Sequence, residues 1–215
     1  SDVTGGLRVP PAEILKVPED AVRVVARDVG GNYGTRNSSY PEFALVVWAA
    51  RRLGRPVKWT CQRREAFLTD YQARDLVSTM ELALDRDGNF LALRGGNVSN
   101  VGAHAVAFVP LNKGRELSTS VYRLLVAAVR GRAVHSNVSP LAAYRSAGRP
   151  QVMFVIERLI DLAAHRHGFD RVALRRRNLV PPTAMPYTNP FSIVYDSGDY
   201  PSTQDRVLAL ADWAG

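Results

Sequence analysis

Hydrophobic residues recur at helical spacing in two long segments of the chain. The first, Pro41–Leu53, contains a run at residues 43–50 that is apolar on nearly every side. Pro41 suits the first turn of a helix and Gly54 suits its end, so both boundaries are signalled. In the second segment, residues 151–167, the apolar residues form a single stripe. The pattern therefore predicts two long helices, and it predicts that the first is buried on more than one face.

Apolar and β-branched residues mark further segments as strands. In chain order these segments are residues 22–26, 57–60, 75–84, 89–98 and 121–134. A polar loop ending in Gly88 joins the third segment to the fourth, which is a hairpin signal. Shorter helices are predicted at residues 10–17, 170–178 and 204–213. These elements predict an α+β fold, a mixed β-sheet with two long helices and short helices packed on it.

Composition narrows the class of protein. Hydrophobic residues make up 46% of the 215 positions, so the chain can bury a sizeable core. The longest apolar run is far shorter than the ~20 residues of a membrane span, and no secretory signal is visible at the N-terminus. The single cysteine, Cys61, excludes an internal disulfide and fits a reducing compartment. We therefore expect a cytoplasmic protein with no membrane span.

The net charge of +8 raises the question of nucleic acid. The basic residues are spread along the chain and usually mixed with acids, and only residues 175–177 form a run of arginines. No helix-turn-helix, zinc-finger or aromatic RNA-binding signature accompanies the charge. We therefore expect no nucleic-acid partner, and a basic face that docks on an acidic partner subunit fits the charge equally well.

The stretch Gly30-Gly31-Asn32-Tyr33-Gly34 lies between the first predicted strand and the first long helix. Its glycines can take positive φ and turn backbone N–H groups towards a phosphate or an oxyanion. The simplest interpretation is a tight strand-to-helix turn. A dinucleotide loop fits poorly, because the spacing is not G-x-G-x-x-G and residues 57–60 end without an acid. No G-K-[ST] sequence is present for a P-loop.

Side chains that commonly carry chemistry form no recognisable constellation. His104 and His135 fall in separate strand regions, while His165 and His167 point to different faces of one predicted helix. There is no C-x-x-C pair and no G-x-S-x-G elbow. The sequence therefore predicts neither a side-chain metal site nor a catalytic residue in this chain.

An ordered set of motifs resembles the first molybdopterin-binding region of the molybdenum hydroxylase large subunit. The glycine loop is similar to the family's G-G-G-F-G-[GN]-K, and A-Y-R-S-A-G-R at residues 143–149 is similar to its second active-site loop, A-[FY]-R-G-x-G. Between and after them stand R-R-L-G-R-P-V-K-W, E-R-L-I-D, L-R-R-R-N-L and Y-D-S-G-D-Y. The resemblance runs from about Pro11 to Ala211. The family includes xanthine dehydrogenase, aldehyde oxidase and aerobic carbon monoxide dehydrogenase.

The resemblance implies a molybdenum–molybdopterin cofactor whose metal is held by the pterin dithiolene and approached by backbone N–H groups. The positions implied to bind it are Gly31, Asn32, Tyr33, Gly34 and Arg145. Asn37 and Ala147 match positions that line the substrate pocket. The resemblance further implies that Tyr33 and Arg145 lie close together in space, although 112 positions separate them in the sequence.

Departures from the family pattern restrict the substrate. Asn32 and Tyr33 replace a glycine and a phenylalanine, and asparagine tolerates left-handed geometry, so the turn is expected to survive. Asn37 stands where xanthine enzymes have a purine-anchoring glutamate, which disfavours a purine. Ser146 stands where copper-containing carbon monoxide dehydrogenases have a cysteine. Because a hydroxyl holds Cu(I) poorly, a molybdenum–copper centre is not expected.

The function implied is oxidation of an aldehyde or N-heterocycle at an electron-poor carbon, using water. The family's catalytic glutamate lies in a Gly-x-Gly-Glu segment that this chain lacks, and family large subunits are several times longer. Residues 1–215 are therefore expected to be a fragment covering most of the first molybdopterin-binding domain, and to be inactive alone. The implied partners are the remainder of the large subunit, iron–sulfur and flavin (FAD) subunits and a small-molecule substrate.

Two alternatives remain open at the level of sequence. One is a non-catalytic binding or assembly domain derived from the same family. The other, less favoured, is a nucleotide-binding α/β domain, which the irregular glycine spacing disfavours.

Overall fold

A computed structural model describes residues 9–213 of the chain. These residues cluster in two compact units. The first unit comprises the chain up to Ala73 together with Val101–Phe108 and His135–Arg145. The second comprises Arg74–Asn100, Val109–Val134 and the chain from Ser146 onwards. Each unit is described by itself.

Three helices form the frame of the first unit within the described residues. They are α1 (Val9–Leu15), α2 (Pro41–Leu53) and α3 (Arg63–Thr69). The predicted ends of α2 are confirmed, with Pro41 in its first turn and Gly54 in the left-handed conformation beyond its last residue. A reciprocal pair of side-chain to backbone hydrogen bonds between Gln62 and Glu65 starts α3.

The predicted burial of α2 is wrong for the described structure. No residue of α2 is fully buried, and Leu45, Trp48 and Leu53 are each more than half exposed. The reason is the small core of the first unit, since its buried aromatic cluster gathers only a few side chains: Tyr40, Tyr71 and Ala142, with Phe43 and Val106 beside them. An apolar helix remains exposed when the unit that carries it has too little apolar surface to cover it.

The two strands predicted at residues 22–26 and 57–60 are also not formed in the described part of the chain. Apolar side chains of both segments, among them Val24 and Val57, instead line an open groove against α2. The alternating pattern indicates which side chains point inward. A strand also needs a neighbouring strand whose backbone forms hydrogen bonds with its N–H and C=O groups.

A three-stranded sheet organises the second unit. Its strands are β1 (Leu76–Leu84), β2 (Phe90–Gly102) and β3 (Val126–His135), in the order β1-β2-β3. β1 and β2 are antiparallel. Gly96 of β2 lies against Arg130 of β3, and six residues further along both segments the Ser136 amide donates to the Gly102 carbonyl. Because both segments advance in the same direction between these contacts, β3 runs parallel to β2. The sheet is therefore mixed, as predicted.

Helices pack on this sheet and on one another. They are α4 (Val109–Glu116), α5 (Arg149–His167), α6 (Arg171–Asn178) and α7 (Tyr200–Leu210). The short strands β4 (Tyr187–Thr188) and β5 (Val194–Tyr195) pair with each other. The apolar stripe of α5 is buried as predicted, through Val152, Ile156, Ile160 and Ala164. The α+β fold class is confirmed, and none of the helices in residues 9–213 is long and apolar enough to cross a membrane.

The arginine run on α6 is largely engaged within the second unit. Arg175 Nε donates to Glu157 Oε2 at 2.7 Å, and its guanidinium also pairs with Asp161 at 2.9 Å. Arg176 forms an ion pair with Asp205. Tyr122 Oη donates to the other oxygen of Glu157 at 2.7 Å; burial, and then the Glu157 carboxylate, raise the pKa of the Tyr122 phenol. Arg175 therefore joins α6 to α5, and Arg176 joins α6 to α7.

Asn178, at the end of α6, joins this helix to the β1–β2 hairpin. Its side chain is 4% exposed and satisfies three backbone groups. Asn178 Oδ1 accepts from the Phe90 amide at 2.8 Å, while Nδ2 donates at 2.8 Å to the carbonyls of Gly88 and Leu174. Because these backbone groups are buried, no water replaces the amide when it is removed.

We expect Asn178→Ala to lower the free energy of unfolding by about 2–4 kcal/mol, since it leaves buried donors and acceptors unpaired and opens a small cavity. Urea denaturation followed by circular dichroism measures the change. Asn112→Ala is the matched control, because Asn112 is exposed on α4 and its loss should cost less than about 0.5 kcal/mol. Equal effects of the two substitutions would contradict the structural role given to Asn178.

Candidate functional site

The glycine loop adopts a tight left-handed turn. Gly31, Tyr33 and Gly34 have φ values of 132°, 54° and 102°, and a single 3-10 turn, Thr35–Asn37, follows. Asn32 Oδ1 accepts from the Gly34 amide at 2.7 Å, so the asparagine closes the turn with its own side chain. Positive φ at Tyr33 is unusual for an aromatic residue, which marks this loop as constrained.

The second loop contacts the first directly. The Arg145 amide donates to the Tyr33 carbonyl at 2.7 Å. Beside it, the backbone of Gly34 passes so near Ala143 that a Cβ at position 34 would lie 2.5 Å from the Ala143 carbonyl oxygen. Only glycine fits this approach together with a φ of 102°. The prediction that Tyr33 and Arg145 lie close together is confirmed.

The side chains around this contact form an exposed aromatic and cationic surface. The guanidinium carbon of Arg145 lies 6.0 Å from the centre of the Tyr33 ring, and the rings of Tyr33 and Tyr144 are 6.4 Å apart. Tyr33 is 55% exposed and Tyr144 is 38% exposed. A positive charge beside two exposed rings suits a negatively charged ligand.

Two stacked tyrosines hold the segment that directly follows the glycine loop. The rings of Tyr40 and Tyr71 are 4.4 Å apart. Tyr40 Oη donates to the Thr35 carbonyl at 3.0 Å, and Tyr71 Oη donates to the Ser39 carbonyl at 2.7 Å. Burial raises the pKa of both phenols, so both remain protonated donors at neutral pH. Sequence analysis missed this pair, since nothing in its spacing distinguishes it from ordinary core tyrosines.

Arg36 also holds the glycine loop in place. Its guanidinium pairs with Asp70 at 3.0 Å and lies 4.8 Å from the centre of the Tyr40 ring. Arg36 stands where the family motif G-G-G-F-G-[GN]-K has its lysine, and a lysine would lack the planar face that stacks on the ring. Arg36 therefore acts on the conformation of the loop.

The second loop is fixed by short backbone pairings. The Gln72 amide donates to Pro140 at 2.9 Å, and the Ala142 amide donates back to Gln72 at 3.0 Å. Leu141 between them is buried, and its amide donates to the Val101 carbonyl at 3.3 Å. These bonds leave Tyr144 and Arg145 as the exposed end of a rigid segment.

The two predicted substrate-pocket residues fall in different units. Asn37 is exposed at the end of the 3-10 turn of the first unit, and its amide donates to the Gly34 carbonyl at 3.2 Å. Ala147 belongs to the second unit and is half-buried between Ser146, whose φ is 71°, and Gly148, which precedes α5. All five predicted cofactor residues and Asn37 therefore belong to the first unit. Ala147 belongs to the second unit.

The loop pair presents a positive charge and a constrained backbone, which suit a negatively charged group. In the region from Val9 to Trp213, no group of three or more His, Cys, Asp or Glu side chains could hold a metal ion. The loop pair offers a constrained backbone and the Arg145 guanidinium instead. Backbone donors and a cation stabilise a negatively charged group without displacing its own ligands.

Comparison with known proteins identifies relatives over most of the chain. The family model described as molybdopterin cofactor-binding domain matches residues 6–179. The 6-hydroxypseudooxynicotine dehydrogenase complex subunit gamma of Paenarthrobacter nicotinovorans is 34% identical over 94% of this chain. The carbon monoxide dehydrogenase large chain of Hydrogenophaga pseudoflava is 34% identical over 92% of it. The chain spans only 26% and 25% of the lengths of these two relatives.

Solved structures agree with the sequence relatives. Quinoline 2-oxidoreductase from Pseudomonas putida 86 superposes with a TM-score of 0.90 at 33% identity, covering 97% of this chain and 27% of that one. The arrangement of helices and strands described above is therefore one that also occurs within much longer chains.

Proposed function

Because the chain belongs to the molybdopterin cofactor-binding domain family, we propose that its two contacting loops hold the metal end of a molybdenum–molybdopterin cofactor. The observation that carries the proposal is the 2.7 Å hydrogen bond from the Arg145 amide to the Tyr33 carbonyl, which joins the two loops. In this proposal the chain is part of a longer large subunit, and the remainder of that subunit supplies the other contacts.

Each loop residue has a separate task in the proposed complex. The Gly34 amide is already engaged by Asn32, so it shapes the turn and is not a donor to the cofactor. The Tyr33 amide, held in the left-handed conformation at the exposed face, is the donor offered to the metal's oxygen ligands. Arg145 supplies a positive charge beside the anionic cofactor. The cofactor, when bound, supplies two-electron oxidation chemistry.

The proposed reaction is the oxidation of an aldehyde or N-heterocycle at an electron-poor carbon, with water as the oxygen source. A quinoline-oxidising enzyme among the structural relatives is consistent with a heterocyclic substrate. Asn37 offers a neutral amide, which cannot anchor a purine as a carboxylate does. The proton-accepting base, the iron–sulfur clusters and the flavin belong to other segments or subunits, in a cytoplasmic complex.

The proposal is tested by purifying two proteins from cells that synthesise molybdopterin: the 215-residue chain and the full product of its gene. Molybdenum and copper are measured by mass spectrometry, and dye-linked oxidation of benzaldehyde and quinoline is assayed. We expect stoichiometric molybdenum, no stoichiometric copper and turnover in the full product, and none of these in the 215-residue chain. Each missing hydrogen bond is worth only ~1 kcal/mol, but losing several costs many powers of ten in affinity.

Three results would contradict parts of the proposal. Stoichiometric molybdenum with turnover in the 215-residue chain would show that it is no fragment. A full product free of molybdenum would favour the assembly-domain alternative. Stoichiometric copper alongside molybdenum would overturn the expectation drawn from Ser146, whose hydroxyl is a poor ligand for Cu(I).

A further inference from the structure

A basic cleft of about 860 Å³ lies on the exposed face of the sheet in the second unit. Its charged lining comes from all three strands and from α4: Glu81 on β1, Arg94 on β2, Arg130 on β3 and Arg115 on α4. β1 exposes every second residue on this face, while the alternate residues Met80 and Leu82 pack against the core. The cleft is therefore open to solvent, and all the residues that line it belong to the second unit.

The cleft carries a net positive charge. Glu81 pairs with Arg94 at 2.5 Å, whereas Arg115 and Arg130 are exposed and form no ion pair with any residue between Val9 and Trp213. The acid nearest to Arg115 in sequence, Glu116, is engaged by Lys113 at 2.9 Å. Exposed arginines held on rigid elements without acidic neighbours favour an anionic partner.

The floor of the cleft is bare backbone. Gly96 stands in the middle strand, directly opposite Thr79, so a side chain at either position would point to the same face. A Cβ added at Gly96 would meet nothing nearer than 3.5 Å, which is ordinary contact with Arg130. Packing within the sheet therefore does not require glycine at this position. Glycine in a strand is often found where another backbone or a ligand approaches closely, and Gly96 leaves the floor of the cleft open to such an approach.

We propose that this basic cleft binds an extended acidic segment of a partner polypeptide. An extended chain places every second side chain on one face, so carboxylates can reach Arg115 and Arg130 while the intervening residues pass Glu81. A nucleic acid suits the cleft less well, since its phosphates repeat without a gap and would meet the Glu81 carboxylate. Among the described residues that line the cleft the aromatic ring is Phe191, which is half-buried against the core, so the cleft lacks the series of exposed rings on which successive bases stack.

The test measures, by fluorescence anisotropy, the binding of a fluorescein-labelled dodecapeptide, in which glutamate alternates with serine, to the full product of the gene. The double variant Arg115→Gln/Arg130→Gln should raise the Kd by about tenfold. The matched control, Arg158→Gln/Arg206→Gln, removes the same charge from two exposed helical arginines and should change the Kd by less than about twofold. Binding of the wild-type chain should weaken between about 50 mM and about 200 mM salt.

A steric variant makes the test independent of charge. Gly96→Val places a branched side chain on the floor of the cleft and should also raise the Kd by about tenfold, because the peptide backbone can no longer approach. Thermal unfolding checks that each variant is folded. Equal weakening by both arginine double variants, equal binding of a glutamine–serine peptide, no binding at all, or stronger binding of a single-stranded oligothymidine of equal length would each overturn the proposal.

Discussion

Replacing Gly148 with alanine should destabilise the second unit by about 3–5 kcal/mol. Gly148 precedes α5 with a φ of 87°, which a residue with a Cβ adopts only at a cost. A Cβ there would lie 2.3 Å from the Pro110 carbonyl oxygen and 2.9 Å from the Gly114 amide nitrogen. Both atoms are backbone of α4, so no side chain can rotate away. Accommodation requires α4 to move off the start of α5, which carries the central core stripe.

The matched control lies at the other end of the same helix. Gly168 follows α5 with a φ of 72°, yet a Cβ there would meet nothing within 4 Å. Gly168→Ala therefore isolates the cost of the left-handed backbone, about 1–2 kcal/mol. Urea denaturation followed by circular dichroism compares the two variants. If they lose equal stability, the close packing of α4 on Gly148 has no energetic weight.

Local signals predicted most elements of the fold. Pro41 and Gly54 bound α2 where the sequence places them, and Asp170 caps α6 by accepting from the amides of Val172 and Ala173. The apolar stripe of α5 and the hairpin turn before β2 were also predicted correctly from the sequence. In each case the information lies within a few residues of the element itself.

The elements that failed depend on distant parts of the chain. Residues 22–26 and 57–60 have the alternation of strands, but alternation does not supply a hydrogen-bonded neighbour. Conversely, α4 was not predicted, and its internal Gly114 argues against a helix. It forms because Pro110, Leu111 and Gly114 are buried, and tertiary packing overrides weak helical propensity.

The candidate site was predictable in composition and not in conformation. Glycine spacing indicated a backbone-donor loop, and the motif resemblance paired it with Arg145. The positive φ of Tyr33 and the hydrogen bond from the Tyr40 hydroxyl to the Thr35 carbonyl were not predicted. The Tyr71 hydroxyl donates to the Ser39 carbonyl across 32 positions of sequence. Residue type alone does not report contacts of that range.

Gly34→Ala in the full product of the gene should lower its molybdenum content by more than about tenfold. Gly34 has a φ of 102°, and a Cβ there would lie 2.5 Å from the Ala143 carbonyl oxygen. To relieve this clash the two loops must separate, which breaks the hydrogen bond from the Arg145 amide to the Tyr33 carbonyl. The Tyr33 amide and the Arg145 charge then no longer converge on one ligand, and an affinity that depends on their convergence falls steeply.

Gly54→Ala is the control that separates loss of the site from loss of the fold. Gly54 lies in the same unit with a φ of 62°, but a Cβ there would meet nothing within 4 Å. In both variants the left-handed alanine lowers the free energy of unfolding by about 1–2 kcal/mol, whereas only Gly34→Ala separates the loops. Molybdenum and pterin contents are measured on protein of verified thermal stability. A Gly34→Ala protein that retains its full molybdenum content would show that the contact between the two loops does not hold the cofactor, and the proposed function would lose the observation on which it rests.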